Sequence, residues 1–192
     1  MIKKYLAKDE NIIAKIICFI LLVFVYNFCM GCSNQIEKNT ENDKIGNKYS
    51  VTDSTGTVIN FEKKPEKIVS LSISTDEILI DLVDSKRITA VTYLADDPEI
   101  SNIVDRVKSI PNRAYGNSAE ALLAMHPDII IAADFFKQEM IQSLRDLGLK
   151  VYVYKTPNNM EEIKKAINDI AVLVGEPANA EKLIRQMDSK LK

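Results

Sequence analysis

Residues 116–133, GNSAEALLAMHPDIIIAA, constrain the fold more than any other stretch of the chain. A short helix over 118–125 is expected to run through His126 and Pro127 into a strand over 128–133. From Ile129 onward that strand is an unbroken apolar run. A run of this kind has no wet face, the condition that arises when helices cover both faces of a parallel sheet.

The flanking segments fit such a sheet. Residues 49–61 alternate around Asp53-Ser54-Thr55-Gly56, with Tyr49 and Val51 before it and Thr57, Ile59 and Phe61 after it. That is the pattern of a β-hairpin with a glycine-bearing turn. Residues 65–71 lead into a strand. Ser74 and Glu77 have capping-box spacing, and Ile78, Leu79, Leu82 and Val83 give the next helix its apolar stripe. Residues 88–93 read as a second strand. Residues 94–113 are polar and irregular, with one helical turn expected around 100–104. Met140, Ile141, Leu144 and Leu147 mark another helix, stopped by Gly148. Residues 150–154 read as a strand. Asn158 with Glu161 is expected to cap a helix carrying Met160, Ile163, Ile167, Ile170 and Val174, closed by Gly175 and Pro177. A final helix begins at Ala178, with Leu183, Ile184, Met187 and Leu191 apolar. Strand alternating with helix implies right-handed crossovers and a parallel sheet.

The chain has 192 residues, 46% hydrophobic and 27% charged, enough for one sizeable core. Of the formal net charge of -2, residues 1–31 contribute +2 (Lys3, Lys4, Lys8 and Lys15 against Asp9 and Glu10), leaving -4 for the rest. A mildly acidic body argues against a nucleic-acid partner. Cys18, Cys29 and Cys32 all precede the body, so no disulfide can form within it. Glycines number only 6, and no P-loop or G-x-G-x-x-G is present.

Residues 1–31 have the pattern of a signal peptide: a Lys-bearing start, then an uncharged run over 16–30. The run is shorter than the roughly 20 apolar residues of a membrane span. It ends in Cys29-Met30-Gly31-Cys32, which resembles a bacterial lipobox with Cys29 where Leu is usual. The resemblance implies a diacylglycerol anchor on Cys32; the alternative is an uncleaved signal anchor. Residues 32–47 are polar beyond the cysteine and read as a disordered tether, since they bury too little to offset the entropy of ordering.

Together, several motifs resemble the N-terminal lobe of class III periplasmic-type substrate-binding proteins. These are the extracytoplasmic receptors of ABC importers for iron-siderophores, haem and cobalamin. The motifs are the opening hairpin, Pro65-Glu66-Lys67-Ile68-Val69-Ser70-Leu71, Glu120 with its short helix and the Pro127-Asp128 step, and residues 147–154 with the long helix after them. The resemblance covers 49–192. It implies an α/β fold with a Rossmann-like parallel sheet flanked by helices and opened by a β-hairpin. Residues 48–176 would be the single N-terminal lobe, and 177–192 the start of the long inter-lobe helix. Val83-Asp84-Ser85 departs from the glycine that usually ends the first helix. In this family ligand sits between two lobes, and the second is absent from the sequence. The chain is then a fragment, a truncated reading frame or a single-lobe product. Such a lobe is expected to fold, to bind weakly or not at all, and to fray along its final helix for want of a lobe to pack on.

In open α/β sheets ligands meet the loops after the carboxyl ends of the strands. Those loops offer Ser72, Ser74, Tyr93, Tyr115, Asp134 with Phe135, and Thr156. Aromatic rings and hydroxyls suit large, partly apolar chelates or macrocycles. In the plainer account Ser74 is an N-cap, the tyrosines pack on loops and Phe135 is a staple. The resemblance makes Glu120 the surface glutamate that docks on a permease arginine, away from the cleft. The spacing from Asn117 to Glu120 also fits a capping box. His126, the only histidine, makes a poor metal site, because zinc takes three or four ligands; it reads as a surface residue at a helix end. No metal site and no cofactor is expected, and no catalytic nucleophile with a base can be named. The leading expectation is a lipid-anchored solute receptor on the extracytoplasmic face of the cell membrane. Its partners would be an ABC permease and an iron chelate or tetrapyrrole-like small molecule. The alternatives are a single-lobe surface interaction protein and, less favoured, an extracytoplasmic enzyme on a related scaffold.

Overall fold

A computed structural model describes residues 48–115 and 118–191. The expected leader, tether, Cys32 and Asn117 lie outside the described residues. Strands β1 (Tyr49–Thr52) and β2 (Val58–Phe61) pair antiparallel as the expected hairpin. Strands β3 (Ile68–Ser70), β4 (Ile88–Thr92), β5 (Asn112–Ala114), β6 (Ile129–Ala133) and β7 (Val151–Tyr154) form a parallel sheet in the order β5-β4-β3-β6-β7. The helices are α1 (Ile73–Leu82), α2 (Val104–Val107), α3 (Ala119–Ala124), α4 (Gln138–Asp146), α5 (Met160–Leu173) and α6 (Pro177–Lys190). The α/β fold read from the sequence is the one that forms.

The apolar run of β6 explains the layering. Ile129, Ile131 and Ala133 belong to one core cluster, with Leu79 and Leu82 of α1, Ile167 and Ile170 of α5 and Ala180 of α6. Ile130 and Ala132 point the other way, into a second cluster with Leu122 of α3 and Ile141 and Leu144 of α4. A strand buried on both faces has no position for a polar residue. The Pro127-Asp128 step fixes its start. The Asp128 carboxylate accepts from Glu66 N at 2.7 Å and Lys67 N at 3.0 Å, tying the head of β6 to the head of β3.

Helix caps depart from expectation by one or two residues. Ser72, not Ser74, caps α1; its backbone is extended and its hydroxyl accepts from Thr75 N. Asn159, not Asn158, caps α5, accepting from Glu162 N at 2.9 Å, while Glu162 reaches back to Asn158 N at 2.8 Å. Ser118 caps α3 through Ala121 N. Repeated Ser and Asn pairs make these shifts invisible to spacing alone, since several registers satisfy the same capping rule. Exposed His126 closes α3 at φ 47, the left-handed turn that commonly ends a helix. Val83 ends α1 without a glycine because Asn179 of α6 donates to Leu82 O at 2.7 Å.

Residues 94–113 hold more structure than expected: a 3-10 turn over Tyr93–Asp96, the short α2, and the edge strand β5. β5 has three residues and buries only Ala114 fully, too little to show a period. The final helix also corrects an expectation. Leu183, Ile184 and Met187 pack against the first core cluster, on the side that holds α1 and α5, and Leu191 alone of the stripe is exposed. The stripe therefore has a surface of this lobe to pack on.

Candidate functional site

Every ligand candidate from the sequence lies at the carboxyl edge of the parallel sheet. Tyr115 follows β5, Tyr93 follows β4, Ser72 and Ser74 follow β3, Phe135 follows β6 and Thr156 follows β7. The chain runs outward from β3 through β4 to β5, then returns to place β6 on the other side of β3. The crevice at such a reversal is where open α/β sheets take ligands.

The serines follow β3, beside this reversal. Tyr154, at the end of β7, reaches across β6 and shares a 2.9 Å hydrogen bond with Ser72 and a shorter one with Ser74. Ser72 and Ser70 in turn hydrogen-bond the Thr75 hydroxyl at 2.8 and 2.5 Å. Ser74 is thus half-buried and engaged with Tyr154, and it is not the cap. The walls are aromatic. Tyr93 and Tyr115 stack with ring centroids 5.2 Å apart and an interplanar angle of 8°, and both remain more than half exposed. On the other side Phe135, 68% exposed, stacks on Phe136. Thr156 donates to Asp134 at 2.5 Å, bracing that loop. Each stack thus leaves aromatic surface exposed along this edge.

Two residues that sequence reasoning passed over complete the edge. Tyr154 lay inside an apolar strand pattern, with no local mark that its hydroxyl crosses the sheet. Asp76, in the first turn of α1, is fully buried. One carboxylate oxygen accepts from Thr92 N at 3.0 Å and from the Thr92 hydroxyl at 2.7 Å, and the other has no partner. Burial raises its pKa to about 7, against the lowering pull of Ser70, Thr92 and Arg113. Asp96 sits at the rim, held below the usual carboxylate range by hydrogen bonds from Arg113.

Glu120 is exposed in the first turn of α3, five residues beyond Tyr115. A cleft of about 440 Å³ opens elsewhere, lined by Asp81, Leu82, Asn179 and Lys182, at the end of α1 opposite Ser72. It is distinct from the aromatic edge. Among the described residues no group of three or more His, Cys, Asp or Glu gathers in a metal-holding arrangement.

Residues 68–192 match the periplasmic binding protein family, and the chain belongs to it. It is 24% identical over 168 residues to an uncharacterized ABC transporter substrate-binding lipoprotein, YvrC, of Bacillus subtilis, covering 84% of this chain and 52% of the relative. It is 27% identical over 122 residues to a vitamin B12-binding protein of Yersinia pestis, covering 63% of this chain and 42% of that one. A solved structure of a possible iron-binding (periplasmic solute-binding) protein from Staphylococcus epidermidis superposes with TM-score 0.57 at 26% identity, over 66% of this chain and 49% of that one. The chain thus spans about half the length of the curated relatives it matches, or less.

Proposed function

We propose that this chain is the ligand-facing N-terminal lobe of a substrate-binding component of an ABC importer, and that its carboxyl edge receives an iron-siderophore, haem or cobalamin-type molecule. The observation that carries the reading is the pair of exposed aromatic stacks on either side of the serine hydroxyls that follow β3, beside the β3/β6 reversal. Relatives named for iron and vitamin B12 support the ligand class. The role is binding, not catalysis, as the names of these relatives also suggest.

Contacts from this lobe alone are expected to give dissociation constants near 1 mM, about -4 kcal/mol, since the rigid-body cost of association is met in full by a partial set of contacts. Titrating the full chain with cyanocobalamin, haemin and a ferric siderophore, followed by tyrosine fluorescence, should show one of the three preferred. Tyr115→Ala should weaken that binding by about tenfold, the loss of one aromatic contact. No response to any of the three, or one that Tyr115→Ala leaves unchanged, would sink the reading.

Glu120 is the proposed docking contact for the permease, and Cys32 the proposed lipid anchor on the extracytoplasmic face of the membrane. One uptake experiment, in cells carrying the permease and with the second lobe supplied in the same chain, reads both. Glu120→Ala should lower uptake with ligand affinity unchanged, by about 2 to 5 kcal/mol of docking free energy if the charge pair is desolvated. Cys32→Ser should leave the membrane fraction and lose palmitate labelling, because acyl methylenes at about 0.8 kcal/mol each hold the anchor. Unchanged uptake by Glu120→Ala refutes docking through that residue; a Cys32→Ser protein that still takes up palmitate refutes the anchor.

A further inference from the structure

We propose that Asp76 is a positioning residue for the aromatic wall of the ligand edge, and that its carboxyl group makes the set of that wall proton-dependent. The proposal rests on the ligand-binding reading above and adds the residue that tunes it.

The geometry is a short chain of contacts. Asp76 is inaccessible to solvent, and one of its oxygens takes both hydrogen bonds offered by Thr92, backbone and side chain. Thr92 is the last residue of β4, and Tyr93 follows it directly. Tyr93 lies flat on Tyr115, which follows β5. The Asp76 carboxyl group is therefore the tie between the first turn of α1 and the strand end that presents Tyr93. Its second oxygen is buried with no partner, a state that penalises the charged form. The charged form makes the stronger bonds to Thr92. Firm placement of Tyr93 and relief of the buried charge thus pull in opposite directions, and a proton decides between them.

Few other ionisable groups bear on Asp76. Arg113 of β5 lowers its pKa and is itself clamped by Asp96 of the turn after β4. β3 and β4 contribute the Ser70 hydroxyl and the Thr92 hydroxyl and backbone N–H to the balance, none of them ionisable near neutral pH. On α1, Glu77 is half-buried and Asp81 pairs with Arg106. On α5 and α6, Lys164 pairs with Glu161 and Asp188, Lys165 with Asp169, Glu162 with Lys155, and Arg185 with Glu181, while Lys182 lines the cleft at the far end of α1. The titration near neutral pH is accordingly assigned to Asp76.

The test uses the full chain labelled with 13C-tyrosine, with the Tyr93 and Tyr115 signals assigned by Tyr→Phe variants. In the unsubstituted protein both signals should move with pH about a midpoint near 7. In Asp76→Asn they should stay fixed. In Thr92→Val the midpoint should rise, because the ionised carboxylate loses a donor; this variant keeps the test alive if Asp76→Asn does not fold. Affinity for whichever probe binds, cyanocobalamin, haemin or a ferric siderophore, should fall by about fivefold from pH 8 to pH 6, and that dependence should vanish in Asp76→Asn. Tyrosine signals that ignore pH, or that titrate unchanged in both variants, overturn the proposal. If the signals titrate as expected and none of the three probes binds, the positioning role stands and the ligand reading fails; if a probe binds with a pH profile unaltered in Asp76→Asn, the ligand reading stands and the positioning role fails.

Discussion

Replacing Asp53 with Ala is expected to lower the unfolding free energy by about 3 to 5 kcal/mol, the range for breaking a buried ion pair by deleting one partner. The Asp53 side chain is fully buried. One oxygen accepts from Thr55 N, Thr57 N and the Thr55 hydroxyl at 2.9, 2.9 and 2.7 Å, which shapes the hairpin turn. The other accepts from Arg145 at 2.6 Å and Val153 N at 3.2 Å, which docks the turn on α4 and β7. Burial alone would raise the pKa of this carboxyl; the hydrogen bonds from Thr55, Thr57 and Val153 outweigh it and lower the value. Truncation orphans these donors and leaves the nearly buried Arg145 without its anion. Asp53→Asn, which keeps an acceptor but not the charge, should cost less. Urea midpoints of the two variants check the ranking; a loss under 1 kcal/mol for Asp53→Ala would show that the hairpin is not held by this residue.

The stability of Asp76→Asn relative to the unsubstituted protein should rise by about 3 kcal/mol between pH 5 and pH 8. The sign follows from the direction of the shift. The folded pKa of Asp76 is raised to about 7 from the ordinary value of 3.8. Its contribution is therefore fully present below about pH 3.8 and is lost as pH rises through about 7, some 4 kcal/mol in all. Asp53 has the opposite sign: its folded pKa is lowered, so its contribution is present above the ordinary carboxylate range and lost in acid. Comparing the two proteins at each pH cancels Asp53 and isolates Asp76. Thermal unfolding should show the gap as a widening on the order of 10 °C. Parallel stability curves from pH 5 to pH 8 would mean that Asp76 does not titrate in this range.

Period and punctuation in the sequence were enough for most of the elements, though not for the 3-10 turn over Tyr93–Asp96 or the three-residue strand β5. The apolar run of β6 announced a doubly covered strand, and the alternation around Gly56 announced the hairpin. The candidate site was legible as a set of loops, because carboxyl-end loops of a parallel sheet converge whatever their sequence. What the loops hold in common was not legible. Ser74 spaced to Glu77 looked like a cap, yet the cap is Ser72 and Ser74 turns to Tyr154, 80 residues away.

The sequence by itself determined most of the strands, helices and turns, β5 excepted, and hence that a parallel sheet would carry its polar and aromatic loops on one edge. These are local properties, set by periods of two and 3.6 residues and by caps within a turn of their helix. Only the tertiary structure decided that Tyr154 crosses β6 to the serines, that Asp76 closes on Thr92 and that Tyr93 lies on Tyr115. It also decided that the stripe of the last helix packs on this lobe. Each depends on strand order and on what a neighbouring element buries, and an amphipathic stripe or a lone carboxylate carries no record of the partner that will cover it.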